Sequence, residues 1–339
     1  MTYNNNSFVF SRRTAIKFMA GVAGGMIAHS IKPSVAQSSK MKMSLGGVTW
    51  IGLTPFYIAQ EKGFFTENNL EVKLQIFGAN TDYISAFLAN RIDGCASCVT
   101  SEAVVLADKG KDYKIVFVQD NSAGGDGILA RNSITSIADF KGKKIAVELG
   151  GVGHFFLLKV LKESGLTDKD ITIINADAPT AAAAYQAGNV DIASTYAPFL
   201  SQANEAQPDG RIIYDSSKMP TAIADFYTFD SKYIEANPDA VKAFIKSIVK
   251  ALDFLETNRE EAIAIAASKL EITPEALAAD LEGIKLPNLS TNIEMLANPN
   301  SDLYVVKSLN AMGEFLVNQG EIKTIPDMSS FIETKFIVN

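Results

Sequence analysis

From Lys42 to about Phe229, short apolar runs with a two-residue period alternate with longer runs of helical period. "MKMSLGG" reads as a strand and leads to "TPFYIAQEKGFF", where Thr54 caps a helix, Pro55 occupies its first turn and Gly63 ends it. "EVKLQIF", "DGCASCV" and "KIVFVQD" read as strands, separated by the helices "TDYISAFLAN" and "SEAVVLADKG". A second unit follows. "SITSIADFKGKKIAVELG" is a short helix feeding a strand, "GHFFLLKVLKESGL" is an amphipathic helix, and "DITIINA", "TAAAAYQAGNVDIAST" and "YAPFLSQANEA" continue the pattern to the strand "RIIYD". Such alternation predicts parallel sheets covered by helices, an α/β fold class.

The two halves echo one another: "AFLANRIDGCASCVTSEA" is matched by "AAYQAGNVDIASTYAPFL", each a helix, a turn, a strand ending in small residues and a new helix start. After Phe229 the texture becomes helical, with no strand of its own. Thr273 and Pro274 form another cap and first turn there. Helices with apolar stripes need a sheet to cover, and the N-terminal one is free for them. The chain then crosses between two lobes near Asn121 to Ile134 and returns near Ser216 to Asp230, and two crossings make a hinge. The expected division is 41–127 plus 228–339 for lobe I and 128–227 for lobe II. At 339 residues, two such bodies are what core-size scaling leads one to expect.

Composition is that of an ordinary globular chain, with 47% apolar and 20% charged residues. "SRRTAIK" sets paired arginines before an apolar run, Phe18 to Ile31, of about 14 residues, short of the roughly 20 that span a bilayer. Small residues at Ser34 and Ala36 offer a cleavage point. Residues 1–36 thus resemble a twin-arginine export signal, and no cysteine near the cleavage point suggests a lipid anchor. The mature protein is expected to be periplasmic. The net charge is −7; without Arg12, Arg13, Lys17 and Lys32 it is 27 basic against 38 acidic residues, or −11. Such a body repels nucleic acid and anionic membrane surfaces. Cys95 and Cys98, three apart on a strand, point to opposite faces and are expected as buried thiols. With no second CxxC and no histidine cluster, no metal site or cofactor is expected.

In open α/β sheets ligands collect beyond the carboxyl ends of the strands. The residues there are Trp50, Thr54, Thr100, Ser101, Asp126 in "DNSAGGDG", Glu148 and His154 in "ELGGVGH", and Tyr196 in "TYAP"; Asp225 and Tyr227 fall on the returning crossover. This is a binding inventory. Hydroxyls and helix-start amides donate to polar groups, Trp50 and Tyr196 offer flat walls, and Asp126 or Asp225 accepts from an amine. No Lys or Arg belongs to it, and no nucleophile–base pair is supported by spacing, so no catalytic residue is expected. The glycines of "DNSAGGDG" suit a hinge, with Asp126 facing the solute.

The "GF" helix, "DFKGKKIAV", "GHFFLLKVL", "QAGNVDIASTYAPFL" and "NPDAVKAFIKSIVKAL" resemble the periplasmic solute-binding proteins of ABC importers for nitrate, sulfonate and taurine. The resemblance implies a type II periplasmic-binding-protein fold, two α/β lobes joined by two crossover strands and closing on a small-molecule solute. It implies a monomer that delivers to a membrane permease with its ATPase. Taurine-binding members are the most similar. In them an acid at the position of Asp225 meets the ligand's amine, "THY" stands where this chain has "GHF" with His154, and "WAP" stands where it has "TYAP" with Tyr196. A Ser-Ser pair is replaced by Val99 and Thr100. The acidic "SAGGDG" loop and the missing Arg point away from a bare inorganic anion and toward a small zwitterion or amine-bearing solute, taurine-like or otherwise. Nitrate, bicarbonate or a thiamine precursor is the alternative ligand. A periplasmic sensor or adaptor, or an enzyme like the thiamine-pyrimidine synthases whose Cys-rich motif is missing here, is the alternative class.

Overall fold

The computed structural model describes residues 40–338; the twin-arginine segment and its cleavage point lie outside the described residues. Strands β1 (Met41–Gly47), β2 (Leu70–Ile76), β3 (Gly94–Val99) and β4 (Tyr113–Ser122) open the first sheet. The chain then builds a second sheet from β5 (Asp126–Arg131), β6 (Lys144–Val147), β7 (Thr172–Asn175), β8 (Ile192–Tyr196) and β9 (Gly210–Asp215). It returns with β10 (Ala224–Asp230) and β11 (Ile284–Lys285) to complete the first. Among the described residues the orders are β2-β1-β3-β10-β4-β11 and β7-β6-β8-β5-β9.

The two orders are one pattern used twice. In the first sheet β1 pairs parallel with β2 and β3; in the second β6 pairs parallel with β7 and β8. Beside the third strand of each lies an antiparallel strand that has just arrived from the other sheet, β10 against β3 and β5 against β8. The echo between "DGCASCV" and "NVDIAST" therefore marks β3 and β8, the strands at equivalent central positions. All six residues of β3 are buried, which suits the small side chains of "GCASCV" on a strand covered on both faces.

Pairing register corrects the expected boundaries. Asp126 and Gly127 pair with Tyr196 and Thr195, so they belong to the second sheet rather than to lobe I. Asp225 and Tyr227 pair with Asp120 and Phe117, so they belong to the first sheet rather than to lobe II. The sheets change hands at 123–125 and 216–223. Local sequence marks a crossover as a glycine-rich or irregular stretch, but only the ladder decides which sheet claims its flanks. The C-terminal region is also not wholly helical, because β11 pairs with β4 at Ile284 and Lys285.

Ser216 ties the two crossovers together. Its hydroxyl shares a hydrogen bond with that of Ser122 (2.7 Å) and accepts from the Gly124 amide at 2.7 Å. The Gly283 carbonyl accepts from the amides of Ala123 and Gly125 at 2.8 and 2.9 Å. Gly124 itself has φ +132°, a conformation open to glycine and strained for other residues.

The C-terminal helices cover the first sheet as the apolar stripes suggest. On the helix Pro238–Thr257, Phe244 stacks on Phe65 (5.6 Å between centroids) and meets Tyr227 edge-on at 5.0 Å. Full burial of such a ring stabilises the fold by roughly 1.5–3 kcal/mol. On the helix Leu289–Ala297, the buried Asn292 amide accepts from Val118 N–H at 2.6 Å and donates to its carbonyl at 3.1 Å, bonding to the backbone of β4.

Candidate functional site

Strand register brings two aspartates to matching places. Asp225, second residue of β10, pairs with Val99, the last residue of β3; Asp126, first residue of β5, pairs with Tyr196, the last residue of β8. Each acid thus stands at the carboxyl end of the central strand of its own sheet. Between them lies a small cavity. Trp50, Ser97 and Asp225 line it from the first lobe, and Asp126 and Tyr196 from the second. Val48, Val99, Val152 and Ile223 supply the apolar walls, and among the described residues no Lys or Arg contributes to the lining.

The walls are locked by polar contacts. The Trp50 indole donates to Asp120 Oδ2 at 2.9 Å, and its ring meets Tyr196 edge-on at 5.8 Å. Gly52 makes room for that pair, since a Cβ there would fall 1.9 Å from Asp120 Oδ2 and 2.3 Å from Trp50 Nε1. The Tyr196 hydroxyl donates to Asn80 Oδ1 at 3.1 Å across the cleft. Asn80 in turn donates to Glu102, which also accepts from Tyr83 and from Val99 N–H. Glu148, on the loop after β6, accepts from the amides of Asn80 (3.1 Å) and Thr81 (2.9 Å) at the start of the helix Asn80–Leu88. The lobes are closed, with Glu148 acting as an N-terminal cap supplied from the opposite lobe.

Electrostatically the cavity is acidic, and its carboxyls are buried. Asp225 is 3% exposed, and its carboxylate takes no hydrogen bond from a described residue. Burial, then the neighbouring Asp120 and Asp126, push it well above the usual carboxylate range. Asp126 is pushed up to about 7 by burial, partly offset by the Ser122 hydroxyl. Burial also pushes Asp120 up to about 7, with the Trp50 hydrogen bond opposing the rise. Glu102 reaches about 8, again by burial, against the donors that face it. Asp120 Oδ1 and Ser97 Oγ are buried without a partner. A carboxylate withdrawn from water without a cation is costly, and the group responds by holding its proton.

Of the expected residues, Trp50, Asp126, Tyr196 and Asp225 meet at this cavity. Glu148 serves the closure contact instead. Thr100 staples two elements, its hydroxyl donating to the Ala224 carbonyl (3.2 Å) and accepting from the Ala224 amide (3.0 Å). With Ser101, whose hydroxyl is buried without a partner, it lines a neighbouring cavity beyond Val99, Val152 and Ile223. Three residues are placed elsewhere. Thr54 donates to the Ile51 carbonyl at 2.7 Å inside its own turn. His154 is buried, its Nδ1 accepts from Gly150 N–H at 3.3 Å, and burial lowers its basicity. Tyr227 packs under Phe244 with its hydroxyl buried and unpartnered. Each of these satisfies a strand-end or helix-start rule, but the backbone turns its side chain into its own lobe.

Asn80 and Ser97 also line the cavity and were not among the expected residues, whereas Asp120, in the loop expected to face the solute, stands behind Trp50. Asn80 lies just beyond β2, so the same strand-end rule reaches it. Asp120 ends the apolar run of β4. Ser97 carries only the two-residue alternation that puts it on the face of Val99. Cys95 and Cys98 are free and buried on β3, and burial pushes both thiols up, so neither is poised as a nucleophile.

Two similarly built α/β sheets joined by two crossovers, closed over an interlobe cavity, define the periplasmic binding protein fold. The structure of the alkanesulfonate-binding protein SsuA from Xanthomonas axonopodis pv. citri bound to MOPS superposes with a TM-score of 0.71, at 19% identity over 88% of this chain and 99% of that one. The desulfurization enzyme DSZB shares the fold at a TM-score of 0.62 and 15% identity, over 88% of this chain and 97% of its own. The chain belongs to the NMT1/THI5-like family, whose pattern matches residues 50–262. Among its relatives, a binding protein of Brucella abortus (strain 2308) is 28% identical over 90% of this chain and 94% of its own length. The taurine-binding periplasmic protein of Escherichia coli K12 is 24% identical over 84% of this chain and 89% of its own.

Proposed function

We propose that this chain is the periplasmic solute-binding component of an ABC importer and that it captures a small, polar, amine-bearing organic solute by lobe closure, delivering it to a permease and its ATPase. The fold and the names of its relatives support the binding role; the resemblance of residues 1–36 to a twin-arginine export signal supports the location. The observation that carries the amine reading is Asp225, a buried carboxylate without a partner, facing a cavity whose lining holds no cation. A protonated amine is the group that would satisfy it. The same lining argues against nitrate or bicarbonate, which would meet carboxylates and no positive charge.

The test uses the chain's single tryptophan, Trp50, which stands in the cavity wall. Titration of the purified protein with small amines should change its fluorescence saturably. Asp225→Asn should weaken binding by about ten- to a hundredfold, the value of one charge-assisted hydrogen bond. Binding unaffected by that substitution refutes the amine reading.

A further inference from the structure

The strand pattern places an acid at the same point of both sheets, and closure sets the two on opposite walls of one small cavity. Asp225 faces it from β10 and Asp126 from β5, at the ends of β3 and β8 respectively. A solute with a single amine satisfies one of them. The other would then be closed in beside Val48, Val99, Val152 and Ile223 with no cation to balance its charge. Asp120 adds a third carboxylate with one oxygen bonded to Trp50 and the other unpartnered. The unpartnered Ser97 hydroxyl, 2% exposed on the same wall, offers a further acceptor to an N–H group. An anionic group on the solute finds no cationic side chain here. Lys159 lines the separate cavity beyond the Val99, Val152 and Ile223 walls, where it packs over the Phe315 ring at 5.1 Å.

Resting on the amine-binding reading of this site, we propose that the solute is a short organic dication, with two protonated nitrogens and no anionic group, one nitrogen held by Asp225 and the other by Asp126. The solute is then also the counter-charge that lets the lobes shut. Without it, closure buries two acids that must hold their protons in a medium of low polarity; with it, each acid gives up its proton and gains a cationic partner in the same step.

Isothermal titration of the mature protein with butane-1,4-diamine, propane-1,3-diamine, butylamine, 4-aminobutanoate, taurine and butanesulfonate tests this. At least one diamine should bind about tenfold or more tightly than butylamine, 4-aminobutanoate or taurine, since its second nitrogen makes a second charged hydrogen bond. In Asp126→Asn the preference for diamine over butylamine should fall to about unity while butylamine binding persists. Butylamine, 4-aminobutanoate or taurine binding as well as either diamine overturns the dication but leaves the amine reading standing. Butanesulfonate binding alone overturns both, and so does a panel in which no amine binds. A diamine preference that survives Asp126→Asn intact removes the two-acid arrangement.

Discussion

The Glu148 carboxylate of the second lobe accepts from the Thr81 amide of the first at 2.9 Å, capping a helix that begins on the far side of the cleft. An anion at a helix N-terminus is stabilised by unpaired amides and by the helix dipole. Here that gain exists only when the lobes are shut. Glu148→Ala should shift the population toward open forms and weaken solute binding about three- to tenfold, the range of one partly buried helix cap. Small-angle scattering of the unliganded protein should show a larger radius of gyration; an unchanged radius and affinity would remove Glu148 as a latch.

Trp50 and Asp120 form a buried pair that the loop makes possible by placing Gly52 beside them. Trp50→Phe leaves Asp120 with neither oxygen bonded and should cost about 1–3 kcal/mol of stability in urea unfolding near neutral pH or above. Its carboxyl sits at about 7, so below that it is protonated and the loss should shrink. Gly52→Ala should separate the pair sterically and quench the same interaction.

The buried acids in and behind the cavity wall make stability fall as pH rises. Asp120 and Asp126 are raised from 3.8 to about 7, so the folded state holds more protons than the unfolded one between those values. Stability should therefore be greatest near the low end of that window, decline through it and level off above about 7. Asp225, raised in the same direction, adds to the slope. Asp225→Asn should flatten the decline and raise the melting temperature of unliganded protein at alkaline pH while weakening solute binding. A melting temperature that climbs across this range would contradict the assignment.

A cation bound between these acids should draw their pKa values back down and release protons. Calorimetric titrations in two buffers of different ionisation enthalpy should therefore give different apparent heats near pH 7, with proton release lessened in Asp126→Asn. Identical heats in both buffers would mean that the acids are already ionised before the solute arrives.

Cys95 and Cys98 are buried and unbridged on β3. An aromatic disulfide reagent should label neither thiol in the native protein within the time that it labels both in urea, and reductant should leave the melting temperature unchanged. Rapid native labelling would show that β3 is exposed.

Much of the fold is written in local pattern. Thr273 caps its helix by accepting from Ala276 N–H, as the Thr-Pro start suggests, and the echo between "DGCASCV" and "NVDIAST" marks two strands at equivalent positions. Trp50, Asp126, Tyr196 and Asp225 were legible because strand ends in α/β sheets converge on a cleft. His154 satisfies the same rule, yet its ring accepts from an amide in its own loop. Nothing local distinguishes that case from a ligand contact.

The sequence by itself determined the alternation of strands and helices, the two crossings and the lack of positive charge among the cleft residues, because these depend on side-chain periodicity and composition over short spans. Only the tertiary structure decided which sheet owns Asp126 and Asp225, that Glu148 caps a helix across the cleft, and that Ser97 and Asp120 keep unpartnered oxygens beside it. Those facts rest on register and lobe closure, which join residues far apart in the chain. A one-residue shift in either ladder would turn the same acids to the other face.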